Sequence, residues 1–169
     1  MNIRKVGPDD AQSMFDMMCK LDNDTKNMMY EPGERKESNN SENLKKKIEN
    51  ALSNGDLILG IINENNNLSG FLWAERGSLR RIRHTAYIVV GMLTDMRNHG
   101  VGTQLFEYLD KWAKDSGIVK LELSVECSNE PALHLYKKAG FCIEGKRIAS
   151  MLVDGVYIDE YYMGKLINM

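Results

Sequence analysis

Hydrophobic residues in the first third of the chain recur at the spacing of one helix face. After Pro8-Asp9-Asp10 they lie three or four residues apart, which predicts a first helix whose inward face is Ala11, Met14, Phe15, Met18 and Leu21. A second helix is predicted to begin at a Ser41 cap and to end at Asn54-Gly55. Residues 22–41 between the two helices are polar and contain Pro32-Gly33, which indicates a loop or a mobile helix.

From residue 56 onwards, short apolar and alternating runs replace the helical spacing and predict strands. The predicted strands cover residues 56–62, 68–75, 85–93, 120–125, 141–144, 148–153 and 156–163. One amphipathic helix is predicted to open at residues 96–102 and to end before Gly117, and another covers residues 129–139. Two helices, hairpin strands and then a β-α-β-α-β-β order predict a mixed α/β sheet with right-handed central crossovers.

Composition and charge exclude several classes of protein. The 169 residues fit one domain, 1–169, of ordinary globular composition, with 43% hydrophobic and 27% charged residues. A net charge of −2 argues against a dedicated nucleic-acid binder, and the apolar run from Tyr87 to Leu93 is too short to cross a membrane. The three cysteines form no metal-ligand spacing, and the first residues lack the apolar run of a secretion signal. We therefore expect a cytoplasmic protein that holds no metal.

Arg97-x-x-Gly100-x-Gly102 follows a predicted strand and opens a helix. The first turn of a helix presents free N–H groups and a partial positive charge, and glycines let a ligand approach the backbone closely. The segment is therefore suited to a pyrophosphate, although the same glycines would also allow tight packing of the helix. There is no following Gly-Lys-Ser/Thr and no third glycine of a dinucleotide fingerprint, which argues against an ATPase loop and a nicotinamide site.

A second motif, Asn-x-x-Ala-x-x-Leu-Tyr-x-Lys-x-Gly-Phe, runs from Asn129 to Phe141, one helix and one strand after the first. Together the two motifs resemble the GNAT superfamily, the Gcn5-related N-acetyltransferases, most closely over residues 85–145. The resemblance implies the GNAT acyl-CoA N-acyltransferase fold of the α/β (α+β) class. In that fold a mixed, mostly antiparallel sheet is splayed at the cofactor strand and flanked by helices.

The resemblance also assigns residues to acetyl-CoA, the co-substrate of that family. The pantetheine arm would pair with the backbone of Val90, Gly91 and Met92 as an added strand would. Asn129 matches a side chain that commonly bonds pantetheine. The pyrophosphate would lie beside Arg97 and on the loop formed by Asn98, His99, Gly100, Val101, Gly102 and Thr103.

Tyr136 matches the residue that the family often uses as general acid towards the leaving thiolate, although it would also fit the apolar face of its helix. The identity of the general base that takes the proton from the amine stays open. The strand before the loop contains no carboxylate, and Ser124 stands where the branch that acetylates protein N-terminal alanines has a glutamate. Glu75 is the candidate by position. Glu126 and water-relayed loss of the proton to solvent are the alternatives.

The resemblance implies direct transfer of an acetyl group to a primary amine, without an acyl-enzyme. The ending from Gly155 to Met163, Gly-x-Tyr-x-Asp-x-x-x-Met, is similar to that of ribosomal-protein and polyamine acetyltransferases. It leaves a small molecule, a polyamine and a protein amine open as acceptor. The resemblance places an acceptor wall in the N-terminal loop that contains Glu31, Glu34 and Arg35, where a glutamate could hold a cationic amine or be surface charge. Met17, Met28 and Met29 are compatible with an adaptable apolar part of that wall. A homodimer is one expected form, and a non-catalytic acyl-CoA sensor is the alternative function.

Overall fold

A mixed sheet organises the part of the chain that the computed structural model describes, residues 2–97 and 99–167. Its strands are β1 (Asn2–Lys5), β2 (Leu57–Ile62), β3 (Leu68–Arg76), β4 (Thr85–Met92), β5 (Lys120–Glu126), β6 (Cys142–Val153) and β7 (Val156–Leu166). The helices are α1 (Ala11–Asp24), α2 (Glu34–Ser38), α3 (Ser41–Asn54), α4 (Val101–Asp115) and α5 (Glu130–Lys138). The strand order is β1-β2-β3-β4-β5-β7-β6.

All neighbouring strands are antiparallel except β4 and β5, which are parallel and connected through α4. A parallel pair needs a long crossover connection, and α4 supplies it. The predicted mixed, mostly antiparallel α/β sheet with flanking helices is therefore confirmed.

Helices cover both faces of the sheet because the strand residues alternate between them. On β3, Leu72 and Ala74 point into the cluster that contains the buried residues of α4 and α5. Phe71 on the same strand points into the cluster formed with α1 and α3, and Trp73 packs against that cluster. We call the first side the α4 face and the second side the α1 face.

Two details differ from the sequence prediction. Asn40, and not Ser41, caps α3, because its Oδ1 accepts the Asn43 N–H at 2.8 Å. The pattern also failed to predict β1, which is four residues long and has only Ile3 buried. Part of the polar segment 22–41, which was predicted as a loop or a mobile helix, forms the short helix α2.

The two strands predicted at 141–144 and 148–153 are one continuous strand, β6. The pairing with β7 shifts register between Arg147 and Met151, and Ala149 has a positive φ of 51°. Asp159 on β7 accepts the Ala149 N–H at 2.9 Å and pairs with Lys146, which lowers the pKa of this carboxyl below its ordinary value. A bulge thus lets the strand continue where the sequence pattern breaks.

Candidate active site

β4 and β5 separate halfway along their length. Their pairing runs from Thr85–Lys120 to Tyr87–Glu122, and beyond it the remaining residues of the two strands, all of them described, do not pair with each other. The predicted pantetheine residues Val90, Gly91 and Met92 lie on this open part of β4. We call the gap between the separated parts of β4 and β5 the slot. Because the β4 backbone groups that face the slot lack a strand partner, an extended ligand can occupy it as an added strand.

The N-terminus of α4 lies directly after this open stretch. Gly100 has a φ of 75° and stands before the first helical residue, where a side chain would be strained. The first N–H that bonds back to Gly100 belongs to Gln104, so the amides of Val101, Gly102 and Thr103 remain for a ligand. Arg97 and His99 are exposed beside this turn, whereas Asn98 lies outside the described residues.

Gly102 serves packing. A Cβ atom at this position would lie 2.9 Å from Leu135 Cδ2 on α5, so the Leu135 side chain would have to shift. At Gly100, by contrast, an added Cβ would meet nothing within 4 Å. Gly102 thus supports the contact of α4 with α5, as the packing interpretation expects, and Gly100 supports the turn. The close approach of a pyrophosphate to these glycines stays a prediction.

Tyr136 on α5 is buried on the α4 face, in the core beside the two separating strands. Its ring packs edge-on against Phe106, with 5.8 Å between ring centroids, and at a tilt against Phe141. Burial, together with the nearby phenol of Tyr87, raises the pKa of Tyr136 to about 12. The phenol therefore keeps its proton at every working pH and can act as a hydrogen-bond donor.

Tyr87 links the two separating strands from the opposite, α1 face. Its Oη shares a hydrogen bond of 2.7 Å with Ser124 Oγ on β5. Glu75 on β3 is the cross-strand partner of Tyr87, so the two side chains lie side by side on the same face. Glu75, Tyr87 and Ser124 thus form a polar row that crosses three strands at the point where the sheet opens.

A cavity of about 210 Å³ lies on the α1 face against this row. Its polar lining residues are Tyr30, Arg35, Glu75 and Tyr87. Its apolar lining residues are Met18, Met28, Met29, Phe71, Trp73 and Val89. Among the residues expected to form an acceptor wall, Arg35, Met28 and Met29 line it. Met17, Glu31 and Glu34 do not, since Met17 is buried within α1 and both glutamates are exposed to solvent.

Arg35 is fixed in the cavity wall by a buried partner. Its Nε and Nη2 donate to the two carboxylate oxygens of Asp22 at 2.6 and 3.0 Å, and Asp22 is 1% exposed. The guanidinium also lies over the Tyr30 ring, 4.2 Å from its centroid. This arrangement attaches the segment after α1 to the helix that supports the cavity.

We expect Asp22→Asn to destabilise the protein by about 2 kcal/mol, because it leaves a largely buried guanidinium without its counter-charge. Urea unfolding at pH 7 measures the change. Asp154→Asn is the matched control, since Asp154 pairs with Lys26 on the exposed surface, where solvent screening leaves an ion pair with little effect on stability. Equal losses in the two variants would contradict a special role for the buried pair.

Glu126, the second candidate base, is buried on β5 opposite Glu160 of β7. Its Oε1 has no hydrogen-bond partner among the described residues. Burial, with a smaller contribution from Glu160, raises the pKa of Glu126 above its ordinary value. Glu160 itself accepts hydrogen bonds from Arg147 and Ser150. Glu126 does not line the cavity, and it stands two residues beyond Ser124 on β5.

Asn129 caps α5 through its Oδ1, which accepts the Ala132 N–H at 3.3 Å. The capping bond occupies the carbonyl end of the side chain and leaves the NH₂ group as a donor. Asn129, which is predicted to bind pantetheine, is therefore also the residue that caps the helix carrying Tyr136.

Tyr87 is the side chain of the candidate site that the sequence analysis did not single out. In the strand pattern it was one more β-forming residue, and only the β3–β4 register shows that it lies beside Glu75. The signal that could have found it is polarity: it is the one hydroxyl-bearing residue inside the apolar run from Ala86 to Met92.

Within residues 2–97 and 99–167, no three His, Cys, Asp or Glu side chains are grouped as a metal site. Of the helices described, none is long and apolar enough to cross a membrane.

The chain is similar to known acetyltransferases in sequence and in fold. Residues 15–141 match the model of the acetyltransferase (GNAT) family. The L-amino acid N-acetyltransferase AaaT of Escherichia coli (strain K12) is 34% identical over 93 residues, which are 52% of this chain and 56% of AaaT. The match thus spans little more than half the length of that relative.

Two solved structures extend the similarity over the whole fold. A GNAT-family acetyltransferase from Streptococcus pneumoniae has a TM-score of 0.91 at 28% identity, with 99% of each chain covered. A putative acetyltransferase from Salmonella typhimurium, solved with its cofactor acetyl-CoA, has a TM-score of 0.87 at 18% identity and covers 100% of this chain and 95% of that one. The family match includes the separating strands and both motifs, and the chain belongs to the GNAT family of acetyltransferases.

Proposed function

We propose that the protein transfers the acetyl group of acetyl-CoA to a primary amine by direct attack, without an acyl-enzyme. One observation carries the proposal: a slot between β4 and β5 ends at an open helix N-terminus and has a tyrosine on each face of the sheet. The slot suits an extended thioester, and the cavity beside Tyr87 suits the amine that attacks it.

The residues present fit acetyl-CoA as co-substrate. Backbone groups of Val90 to Met92 would hold the pantetheine arm, and the amides of Val101, Gly102 and Thr103 would hold the pyrophosphate, with Arg97 nearby. When bound, acetyl-CoA supplies an acyl group activated as a thioester. Asn129 would contribute its NH₂ group to the pantetheine amides.

Tyr136 would act by donating a hydrogen bond. A thiol has a pKa near 8.5, well below the value of about 12 for Tyr136, so complete proton transfer to a thiolate would be unfavourable. A donor held in an apolar site still stabilises the charge that develops on sulfur. The edge-on packing with Phe106 orients the ring without using the hydroxyl group.

Glu75 would receive the proton that the attacking amine loses. It lines the cavity beside Tyr87, and its carboxylate would also attract the ammonium form of the acceptor. Ser124 would fix the orientation of the Tyr87 hydroxyl group through their shared hydrogen bond.

Three wider features belong to the same proposal. We infer a cytoplasmic enzyme in which residues 1–169 act as one domain. A homodimer would use the edge strand β6 and its partner β7, where Ile148 and Tyr157 are each 71% exposed. Exposed apolar side chains beside an unpaired strand edge favour association with another chain.

Thermal unfolding in the presence of acetyl-CoA, CoA and NAD tests the proposed binding of acetyl-CoA. Acetyl-CoA and CoA at about 100 times their dissociation constant are expected to stabilise the protein by about 2.7 kcal/mol. NAD should give no shift, because the third glycine of a dinucleotide loop is missing. The absence of any shift with acetyl-CoA would overturn the proposal.

The second candidate function is a non-catalytic acyl-CoA sensor, favoured by the lack of a carboxylate on β4 itself. Release of free thiol from acetyl-CoA in the presence of a panel of amines distinguishes the acetyltransferase from the sensor. Binding without amine-dependent release would favour the sensor.

A further inference from the structure

The residues that line the cavity beside the polar row restrict the size and charge of the acceptor. Six of its lining side chains are apolar and come from α1, the segment that follows it, β3 and β4. Glu75 is the single acidic residue in the cavity lining, and it stands next to Tyr87 where the slot opens. We propose, on the basis of the function proposed above, that the acceptor is a small monoamine whose compact apolar group fills this cavity.

The size of the cavity supports a compact group. A dry cavity of about 150 Å³ lined by apolar residues is large enough for benzene, so about 210 Å³ accommodates a phenyl ring with a short linker or a branched alkyl chain. Burial of such a group is favourable because it removes apolar surface from water. Met18, Met28 and Met29 can adjust their unbranched side chains to its shape.

The charges argue against a polyamine. A second ammonium group in the cavity would need a second carboxylate, and the only other ionic lining residue is the Arg35 guanidinium. Arg35 is held there by Asp22, so it cannot swing away to relieve the repulsion. A spermidine molecule would therefore place a cation against apolar side chains and a fixed guanidinium.

Met17 and Met18 provide a matched pair of variants. They are neighbours on α1, 4% and 6% exposed, and both belong to the cluster on the α1 face. Only Met18 lines the cavity. Shortening either side chain to alanine should cost similar stability, whereas only Met18→Ala enlarges the acceptor site.

The test measures thiol release from acetyl-CoA with 2-phenylethylamine, 3-methylbutylamine, 2-(1-naphthyl)ethylamine, spermidine and a lysine-containing peptide. We expect kcat/KM for 2-phenylethylamine to exceed that for spermidine and the peptide at least tenfold. Met18→Ala should raise the ratio of the naphthyl amine to 3-methylbutylamine at least tenfold, and Met17→Ala should leave it unchanged. If Met18→Ala does not fold, Met29→Ala, at a 70% exposed lining residue, carries the same test.

Each result has one meaning. A preference for spermidine or the peptide, or equal ratios in the two methionine variants, would overturn the monoamine proposal while leaving acetyl transfer intact. No thiol release with any amine, despite stabilisation by acetyl-CoA, would instead overturn the proposed function and the acceptor class with it.

Discussion

Replacement of Tyr136 by phenylalanine is expected to lower kcat by 100-fold or more, with little change in the KM for acetyl-CoA. The phenyl ring keeps the edge-on contact with Phe106 and the packing on Phe141, so the fold should be preserved. Only the hydroxyl group is lost, and removal of one donor aimed at developing negative charge typically costs about 10²–10³ in kcat. Steady-state kinetics with acetyl-CoA and a saturating amine measure the effect.

The pH profile separates this role from a structural one. Since the pKa of Tyr136 is about 12, the wild-type rate should show no limb from this group below about pH 11. Tyr108→Phe serves as the control, because Tyr108 is an exposed residue on α4 away from the slot. An unchanged kcat in Tyr136→Phe across the pH range would refute the assignment.

Elements with strong local patterns could be predicted from the sequence. The run from Thr85 into Arg97-x-x-Gly100-x-Gly102 indicated a strand, a turn and a helix, and the structure has β4, Gly100 at positive φ and α4 in that order. Local chemistry decides such features, because a helix start and a positive φ depend on few neighbouring residues.

Features that depend on register could not be predicted. Glu75 and Tyr87 are twelve positions apart, and they meet only because β3 pairs with β4 in one register. The cavity has the same origin: Met18, Trp73 and Val89 come from three elements whose packing a single sequence does not specify. Prediction of Met17 as part of the wall was wrong by one residue, which on a helix turns the side chain by about 100°.

The strand β6 shows a third limit. Gly145 to Arg147 interrupt the apolar alternation, so the pattern predicted two strands, but the hydrogen bond from Ala149 N–H to Asp159 supports a bulge that continues the strand. The aspartate of the Gly-x-Tyr-x-Asp ending thus has a structural partner within the hairpin. Asp159 therefore has a role in the fold, as the acceptor of a backbone N–H, that does not depend on any contact with the substrate.

Glu75→Gln is expected to lower kcat/KM for the amine about 100-fold near neutral pH. The amide keeps the size of the side chain beside Tyr87 but can neither accept a proton nor attract an ammonium group, and general bases typically contribute about 10²–10⁴. Because more of the amine is neutral at higher pH, the loss should shrink as the pH approaches the pKa of the acceptor. Initial rates from pH 6 to pH 10 measure both effects.

Two further variants make the result specific. Glu64→Gln removes an equally exposed carboxylate at the β2–β3 turn and should leave the rate unchanged. Glu126→Gln tests the rival base: because Glu126 is buried and does not line the cavity, its loss is expected to leave kcat/KM within about threefold. A larger loss in Glu126→Gln than in Glu75→Gln would transfer the role to Glu126, and full activity in both would mean that the proton passes directly to solvent.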